Sequence, residues 1–291
     1  MAKKERRRFG DRFDGKLIKD LDPMHVITPI LYPNRCDCEA YISERIELAP
    51  IREYLAKKNQ NEELFPYTVF HIVVTAILKT LTLRPKMNRF VANKLMYQRN
   101  DVIASFVVKK LFSDEGEEAL ALVKALPEDT IDSIHKKLFD QISTSRSDKI
   151  DKSSESMDII SRMPRRLTRL FCEIICFLDR IGKCPRGLIA TDPYYTSVVL
   201  SNLGSIKLQS GYHHLTNWGT CSLFCILGEI KNRASIDENG NTVVKETMDL
   251  GLTVDERLAD GYYYSKSLRL IRKLLANPEL LELPMGEEIE Y

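Results

Sequence analysis

The sequence predicts an α+β fold, and two kinds of hydrophobic pattern support this prediction. Residues 41–48 and 102–110 alternate apolar and polar side chains, which is typical of strands with one buried face. Residues 69–81 instead repeat apolar side chains every three or four positions, as in a helix that faces a core. A long helix followed by a hairpin-like pair of strands is typical of α+β proteins.

Composition and charge restrict the function classes. The chain has 291 residues, 44% of them apolar, which is enough for one large domain or two small ones. Lys and Arg number 43 against 41 for Asp and Glu, so the net charge of +2 creates no long-range field that would attract nucleic acid or an anionic membrane. We interpret the basic residues at positions 3–8 as a solvated terminus. Nucleic-acid and membrane partners are therefore not expected.

The sequence favours a cytoplasmic protein. The basic start leads to Phe9 and Gly10 rather than to an apolar signal sequence, and the apolar segment 167–181 is too short and too charged to span a bilayer. Seven cysteines, an odd number in a chain of this size, favour reduced thiols. Cys172 and Cys176 lack a histidine or a second close pair, so we expect buried core thiols and no metal site.

The first half of the chain predicts five elements after a polar segment. We expect residues 1–25 to lie as an arm across the body or a neighbouring subunit, and residues 26–291 to form a single domain. Phe65-Pro66 opens the long helix and Arg84-Pro85 stops it. In order, the elements are a strand at 41–48, a helix at 49–58, the long helix at 65–83, and strands at 95–97 and 102–110.

The middle of the chain, at about 113–193, is predicted to be a helical insertion. Helix-forming residues predict helices at 115–124 and 128–142, and the Ser-, Asp- and Lys-rich residues 143–156 predict a connector. Apolar side chains cover most of the circumference of a further helix at 167–181. We expect that helix to pack in the core, while an apolar substrate channel and a subunit contact stay open as alternatives.

The last third of the chain predicts three strands, a hairpin and a helix. The strands are expected at 194–200, 221–231 and 242–254. A loop at 205–220 carries His213 and His214, and Asn239-Gly240 predicts a type I′ turn. An amphipathic helix then runs to Leu275, where Asn277-Pro278 ends it.

Two short motifs stand at the ends of predicted strands. Asp255 to Gly261 is Asp-Glu-Arg-Leu-Ala-Asp-Gly, between an extended run and a helix, and Ser201 to Gly204 is Ser-Asn-Leu-Gly. With the strands and the long helix, their order and spacing resemble the chloramphenicol acetyltransferase and dihydrolipoamide acyltransferase superfamily. The chain is most similar to the catalytic domain of the 2-oxo acid dehydrogenase acyltransferase component, over roughly residues 40–110 and 194–280.

The resemblance implies a two-layer fold in which helices flank a mixed β-sheet. It also implies a homotrimer with active sites between subunits. In that family, coenzyme A and the acyl donor or acceptor enter each site from opposite sides. The resemblance therefore implies an acyltransferase that moves an acyl group between coenzyme A, or a similar thioester, and an unknown small-molecule acceptor.

The family motif is His-x-x-x-Asp-Gly, in which the histidine takes the proton of the attacking group. Asp260 and Gly261 match this motif, Arg257 matches the usual arginine, and Glu256 occupies the histidine position. The Ser201 position, which Asn202 follows, corresponds to the family's hydroxyl that donates to the tetrahedral oxyanion. The resemblance implies that Ser201, Glu256 and Asp260 are the catalytic residues, supported by Asn202, Arg257 and Gly261.

The exchange of histidine for Glu256 determines how much activity the resemblance implies. The reference pKa values of a thiol and a glutamate are about 8.5 and 4.3, so full proton transfer is unfavourable by roughly 5–6 kcal/mol. Burial between subunits can raise the pKa of a carboxylate to about 6–7 and make it a serviceable base. Glu256 would then be the general base and Ser201 the oxyanion donor, while Asp260 and Arg257 organise the site.

Two alternatives stay open for this site. His213 and His214, on the loop after the serine, are further candidates for the base. In the other alternative, Glu256 forms a salt bridge with Arg257, and the chain is an inactive relative that binds acyl-coenzyme A or assembles with proteins. In either case Asp260 is expected to cap the following helix and to pair with an arginine.

Features of larger acyltransferase components are absent from the sequence. It contains no lipoyl-type domain, no linker rich in Ala and Pro, and no glycine loop that would bind phosphate. We therefore expect a free-standing acyltransferase that uses coenzyme A as a co-substrate, without a covalently attached lipoyl group.

Overall fold

The computed structural model describes residues 10–62, 65–109, 118–146, 162–189 and 192–291. Three strands form a small sheet: β1 (Gly15–Leu17), β3 (Arg89–Ala92) and β4 (Leu95–Arg99). Six strands form a large sheet: β2 (Glu39–Glu47), β5 (Val102–Lys109), β6 (Glu118–Ala125), β7 (Val198–Asn202), β8 (Leu223–Ile236) and β9 (Thr242–Asp255). The helices are α1 (Pro23–Leu31), α2 (Ala49–Lys58), α3 (Val69–Leu83), α4 (Ile131–Arg146), α5 (Arg165–Arg180), α6 (Arg186–Ile189) and α7 (Gly261–Ala276).

The large sheet is mixed, with the strand order β2-β9-β8-β7-β5-β6. β7 runs parallel to both of its neighbours, β5 and β8, and the other pairs are antiparallel. The predicted α+β class, with a mixed sheet and flanking helices, is confirmed. The strands predicted at 41–48, 102–110, 221–231 and 242–254 are present, with ends that differ by a few residues.

The two faces of the large sheet are covered differently. Helices α2, α3, α4 and α7 pack on one face, where they form the main apolar core with strand side chains such as Leu200 and Leu252. A loop at 207–222 crosses the opposite face, and its Leu215 is buried against that face. Because side chains alternate along a strand, Ser201 lies on the face that the loop crosses.

The N-terminal segment joins the body through a strand and a charged contact. β1 pairs antiparallel with β4. The buried guanidinium of Arg12 contacts the carboxylates of Asp14 and Asp179 at 2.9 and 2.7 Å. The carboxylate of Asp22 caps α1, so the end of the predicted arm lies inside a helix. The division into an arm and a single domain stays a prediction.

The helix predicted at 115–124 is wrong where the structure describes it. Residues 118–124 of it belong to β6, which pairs antiparallel with β5 along the edge of the large sheet. The side chains of Ala121 and Val123 are buried. Sheet pairing and one buried face therefore override the helix propensity of these residues. Residues 115–117 of the predicted helix lie outside the described residues.

The hairpin at 237–241 is present, but its turn differs from the predicted type I′. That turn requires positive φ at both central residues, whereas in this loop only Gly240 has it, with a φ of 82°. Asp237 explains the difference, because its Oδ1 accepts the N–H groups of Asn239 and Asn241 at 2.9 and 2.8 Å. The carboxylate holds the loop in a conformation that the dipeptide alone does not predict.

Helix α5 is not a core helix, so the predicted core packing is wrong. Of its residues, only Ile175 and Asp179 are buried. Cys172 and Cys176, which were expected to be core thiols, are exposed. The inner side of α5 packs on a small apolar cluster that includes Tyr195. Part of the connector predicted before this helix, from residue 147 onwards, lies outside the described residues.

His71, on α3, makes the stability of the fold sensitive to acid. Its side chain is 3% exposed, and its Nδ1 accepts the N–H of Thr68 at 2.9 Å. Its Nε2 has no hydrogen-bond partner among the described residues. Burial, and then the charge of neighbouring His135, lower the pKa of His71 from 6.5 to about 3. The folded protein therefore keeps this imidazole neutral at pH values where the unfolded chain protonates it.

We expect the free energy of unfolding to fall as the pH decreases from about 6.5 towards 3, by up to ~1.4 kcal/mol per pH unit from His71 alone. Above about pH 7 the imidazole is neutral in both states and contributes no pH dependence. Urea denaturation of His71→Gln should show a shallower decrease than the wild type. The control His25→Gln, which changes a histidine of α1 that is not fully buried, should keep the wild-type decrease. Equal slopes in His71→Gln and the wild type would contradict this account.

Candidate active site

The junction between β9 and α7 is organised by one buried carboxylate between two arginines. Asp255, at the end of β9, is 0% exposed and accepts two hydrogen bonds from the guanidinium of Arg257, at 2.8 and 2.6 Å. The Nε of buried Arg35 lies 3.8 Å from the same carboxylate. The third donor of Arg257, Nη1, binds the carbonyl of Tyr32 at 2.8 Å, and the hydroxyl of Tyr264 donates to the carbonyl of Asp255 at 2.8 Å. Contacts to Tyr32 on one side and to Tyr264 of α7 on the other therefore hold the junction in place.

The charge of Asp255 offsets the effect of burial to different extents for the two arginines. Burial lowers the pKa of Arg257, but the hydrogen bonds and charge of Asp255 outweigh it, so the pKa lies above the ordinary value. Burial lowers the pKa of Arg35, and the charge of Asp255 offsets only part of that effect. Asp255 was not among the predicted site residues. The Asp-x-Arg spacing was the available signal, because it lets a carboxylate and a guanidinium meet across one turn.

Breaking this buried cluster should be costly. We expect Asp255→Asn to lower the free energy of unfolding by about 3–5 kcal/mol, because it leaves Arg257 and Arg35 buried without a counter-charge. Arg52→Met is the matched control, since it removes an exposed ion pair with Glu246 at 2.9 Å, and it should cost at most about 1 kcal/mol. Urea denaturation measures both variants. Similar losses in the two would show that the buried carboxylate has no special role.

Asp260 has the predicted capping role but not the predicted arginine. It is the N-cap of α7, where its Oδ1 accepts the N–H of Tyr263 at 2.7 Å. The arginine of the motif, Arg257, binds Asp255 instead. A side chain at Gly261 would meet no atom within 4 Å, so the packing of one chain does not require glycine there. Asp260 therefore sets the start of α7 and, through it, the direction of the preceding turn.

Glu256 is an exposed side chain on a rigid turn. It begins a 3₁₀ turn, Glu256–Leu258, and its N–H donates to the carbonyl of Cys38 at 2.9 Å. Within the described part of the chain, the carboxylate of Glu256 has no hydrogen-bond or salt-bridge partner. The salt bridge to Arg257 expected for an inactive site is therefore not formed. The backbone at Glu256 is fixed while its carboxylate is available to a ligand or another subunit.

Ser201 is half-buried near the end of β7. It pairs with Ile226 of the neighbouring strand β8, and Ile226 pairs with Gly251 of β9. Its hydroxyl has no hydrogen-bond partner in the described ranges. Asn202 has a structural role, because its Oδ1 accepts the N–H of Ser205 at 3.3 Å and caps a short turn. The serine hydroxyl is thus the free polar group of the motif.

The glycine of the Ser-Asn-Leu-Gly motif is required by packing. A Cβ at Gly204 would lie 2.6 Å from the carbonyl oxygen of Gly228 on β8. Two further glycines let the loop approach the sheet. A Cβ at Gly251 would lie 1.9 Å from the carbonyl oxygen of Gly211, and a Cβ at Gly228 would lie 2.4 Å from the nitrogen of Ser210. Backbone contact therefore positions the loop directly over the sheet.

Ser201 and Glu256 of one chain are too far apart to act on one substrate. The register places Ser201 level with Gly251, five residues along β9 from Glu256 and two strands away from it. With about 3.3 Å per residue and 4.8 Å per strand, their backbones are roughly 19 Å apart. A site that uses both residues therefore needs the serine of one chain and the glutamate of another.

His213 lies on the same face of the sheet as Ser201. Its ring stacks on Phe224 of β8, with centroids 4.2 Å apart, and its Nδ1 is 2.8 Å from the carbonyl oxygen of His214. Because a carbonyl oxygen only accepts, Nδ1 must carry the proton, and the lone pair of the neutral ring is then on Nε2. His214 is exposed and stacks on His213 at 4.5 Å. The structure thus gives His213 the better-defined orientation.

Arg35 also positions the loop that carries the histidines. Its guanidinium donates to the carbonyls of Thr216 at 2.5 Å and Gly219 at 3.2 Å, and Asn217 Oδ1 accepts the N–H of Arg35 at 2.8 Å. Sequence reasoning did not identify this residue, because Arg35 is isolated in the sequence and 181 residues from Thr216. The arginine connects the Asp255 cluster to the loop over the sheet.

Neither a metal-binding cluster nor a membrane-spanning helix occurs in the described ranges. These residues contain no group of three or more His, Cys, Asp or Glu side chains placed to hold a metal ion. None of the helices in them has the length and apolar character that crossing a membrane requires.

Comparison with known proteins supports the predicted resemblance. The sequence pattern of the family "2-oxoacid dehydrogenases acyltransferase (catalytic domain)" matches residues 191–283, which contain both motifs. No curated protein was found whose sequence matches the chain.

Solved structures share the fold over nearly the whole chain. A probable dihydrolipoamide acetyltransferase from Listeria monocytogenes has a TM-score of 0.58 at 14% identity, covering 90% of this chain and 94% of that one. A chloramphenicol acetyltransferase has a TM-score of 0.55 at 11% identity, covering 90% and 99%. A dihydrolipoamide acetyltransferase from Azotobacter vinelandii has a TM-score of 0.54 at 13% identity, covering 91% and 95%.

These comparisons confirm the predicted resemblance and fold. The chain has the fold of chloramphenicol acetyltransferase and of the dihydrolipoamide acetyltransferases, and the family and the named neighbours are acyltransferases. The Azotobacter vinelandii structure was determined to examine the roles of a serine, a histidine and an asparagine in its catalytic mechanism.

Proposed function

We propose that this chain, which has the fold of the chloramphenicol acetyltransferase-like acyltransferases, transfers an acyl group between coenzyme A, or a similar thioester, and a small-molecule acceptor. One observation carries the proposal. The carboxylate of Glu256 is exposed and unpaired within the described residues, on a rigid turn at the motif position of the family's base. The chain has seven free cysteine thiols, which suits an enzyme of the reducing cytoplasm.

The active site lies between subunits, most simply in a homotrimer. The separation of roughly 19 Å between Ser201 and Glu256 within one chain supports this arrangement. In a cyclic trimer, each serine faces the glutamate of the next subunit, so three equivalent sites form. Similarity to a structure described as the cubic core of the pyruvate dehydrogenase multienzyme complex is consistent with assembly from many copies.

The reaction needs one base and one oxyanion donor. Glu256 of one subunit takes the proton from the acceptor hydroxyl, thiol or amine, and the acceptor atom attacks the thioester carbonyl. The hydroxyl of Ser201 of the next subunit donates to the oxygen that becomes negative. Collapse of the tetrahedral intermediate breaks the carbon–sulfur bond, and the coenzyme A thiolate takes the proton back from Glu256. The acyl group thereby moves without a metal or a covalent enzyme intermediate.

Asp260 and Arg257 organise the turn that presents the base. Asp260 fixes the start of α7, and Arg257 is held by Asp255 rather than by the glutamate. The two residues therefore act on the position of Glu256 and not on the acyl group. Gly261 leaves open space beside the turn, where a substrate or the next subunit can approach.

His213 is a second candidate for the base. Its Nδ1 proton is directed to the carbonyl of His214, which leaves Nε2 to accept a proton, and it shares a sheet face with Ser201 of the same chain. A site that uses His213 would therefore not require the glutamate of another subunit. The two candidate bases predict different effects of mutation.

The proposed activity is tested by mixing the purified protein with acetyl-coenzyme A and panels of amines, alcohols and thiols while free thiol is measured. We expect release above that of a Glu256→Ala control with at least one acceptor class. Glu256→His should be as active as the wild type or more active, because histidine is the stronger match to a thiol or amine proton. Thiol release no higher than without the protein, with every acceptor, would reject the acyltransferase proposal for these substrates. Release that Glu256→Ala retains in full would instead reject Glu256 as the base.

A further inference from the structure

Helix α5 carries an apolar stripe that the described residues of its own chain leave exposed. Five large side chains at spacings of three, four, three and four residues are between 43% and 60% exposed. They are Leu167, Leu170, Ile174 and Phe177 of the helix and Ile181, its C-cap residue. This is the a/d spacing of a helix that packs against another helix.

The opposite side of α5 is firmly attached to the body. Ile175 is buried in a cluster with Cys184 and Tyr195. Asp179 is also buried, and its carboxylate binds Arg12 at 2.7 Å. The helix therefore has a fixed orientation, and the stripe is presented outwards as a narrow face rather than as part of a loosely held segment.

The charges beside the stripe have a repeating arrangement. Arg166, Glu173 and Arg180 are seven residues apart from one another, so they lie along one edge of the stripe with alternating sign. Glu173 also binds Arg169 of its own helix at 2.8 Å. An anionic bilayer would favour a uniformly basic edge, whereas an acid between two bases favours a partner with the complementary pattern.

We propose that this face binds the same face of a second copy of the chain, as an antiparallel pair of α5 helices related by a two-fold axis. In this pair Leu170 faces Ile181 of the other copy, and Ile174 faces its Phe177. The same register sets Glu173 beside Arg180 of the other copy, and two-fold symmetry repeats each contact. The stripe and its charged edge are thus self-complementary, as a two-fold interface requires.

This contact lies beside the proposed active-site interface, because Arg180 lines a cavity together with Arg35 and Arg257, but it differs from that interface in its residues and its symmetry. The stripe contains neither Ser201 nor Glu256, and a two-fold axis differs from the cyclic arrangement proposed for the trimer. If both contacts form, α5 joins one trimer to another. If the trimer proposal fails, α5 pairing still predicts a twofold difference in mass between the wild type and a variant that lacks the contact.

The first test is the mass of the full-length protein at low micromolar concentration, measured by sedimentation velocity. We expect Ile174→Glu to sediment as a particle of half the wild-type mass, with an unchanged far-ultraviolet circular dichroism spectrum because Ile174 is exposed. Phe177→Asp provides an independent variant with the same expected outcome. Equal masses for the wild type and both folded variants would overturn the proposal.

The second test examines the register through charge. Glu173→Arg and Arg180→Glu should each weaken the association by about tenfold, because two symmetry-related pairs change at once. The double variant with both changes should return to within about threefold of the wild type, since the pairs are restored with reversed sign. Arg165→Glu, the same charge change on the far side of the helix, is the matched control and should have no effect. Loss of association in Arg165→Glu, or failure of the double variant to restore it, would exclude this register.

A bilayer is the competing occupant. Wild-type protein mixed with vesicles of phosphatidylcholine and phosphatidylglycerol should stay in the supernatant on centrifugation if α5 pairs with a second copy. Sedimentation with the vesicles that is lost in Ile174→Glu, together with an unchanged particle mass, would assign the stripe to a membrane and overturn the pairing.

Discussion

Replacing Glu256 with glutamine is expected to lower kcat/KM for acyl transfer by about 10²–10⁴-fold, the usual contribution of a positioned general base. Glutamine keeps the size and polarity of the side chain but cannot accept the proton of the attacking group. Because the Glu256 side chain is exposed and unpaired in the described residues, the free energy of unfolding should stay within about 0.5 kcal/mol of the wild type. The measurement is thiol release with the acceptor identified by the panel.

His213→Gln is the comparison that separates the two candidate bases. If Glu256 is the base, His213→Gln should keep most of the wild-type kcat/KM, with changes confined to those caused by a slightly displaced loop. A loss of about 10²-fold or more in His213→Gln, with Glu256→Gln nearly unaffected, would assign the base to the histidine. In that case the exchange of histidine at position 256 is compensated by a histidine from the loop over the sheet.

The fold was predictable from the sequence where hydrophobic period and element length agree. The long α3 helix and the strands β2 and β5 each show a clear period over eight or more residues. β6 was missed because Glu118 to Ala125 contains good helix formers, and its strand state depends on pairing with β5, a contact that local sequence does not encode. Ala121 and Val123, buried on one face, follow the alternation of a strand, but this signal was weaker than the helix propensity of the same segment.

The exposed stripe of α5 shows a second limit. The pattern at 167–181 correctly predicts a helix, but the spacing of apolar residues does not state whether the partner of an apolar face is the same chain or another one. Only the coordinates show that Ile175 and Asp179 face inward while Ile174 and Phe177 face outward. A helix face that is buried within its own chain and one that is buried against another chain have the same spacing of apolar residues in the sequence.

The candidate site was located by its motifs, whereas its supporting contacts were not. Asp260 was expected to cap α7 and does so. The ion pair, however, is formed by Asp255, and Arg35 joins it from far away in the sequence. Motif spacing finds residues that act together within one turn. It does not find Arg35, whose role comes from tertiary packing.

Mixed oligomers provide the sharpest test of a site between subunits. Homo-oligomers of Ser201→Ala should lose about 10²-fold or more in kcat, because an oxyanion donor is removed, and those of Glu256→Gln should be similarly poor. If equal amounts of the two variant chains are co-expressed and mix at random, about one quarter of the sites combine an intact serine with an intact glutamate. The purified mixture should therefore recover about one quarter of the wild-type kcat, from two nearly inactive parents.

The matched control replaces the Glu256→Gln partner with a chain that carries both changes. Mixed with Ser201→Ala, that chain leaves no intact serine, so no site is complete and activity should stay at the level of the parents. Side-chain rotation cannot close the separation of roughly 19 Å between Ser201 and Glu256 of one chain, so recovered activity must come from sites between two chains. Absence of recovery in verified mixed oligomers would mean that Ser201 and Glu256 do not act together. His213 would then be the next candidate for the base, because it lies on the same face of the sheet as Ser201 and its Nε2 can accept a proton.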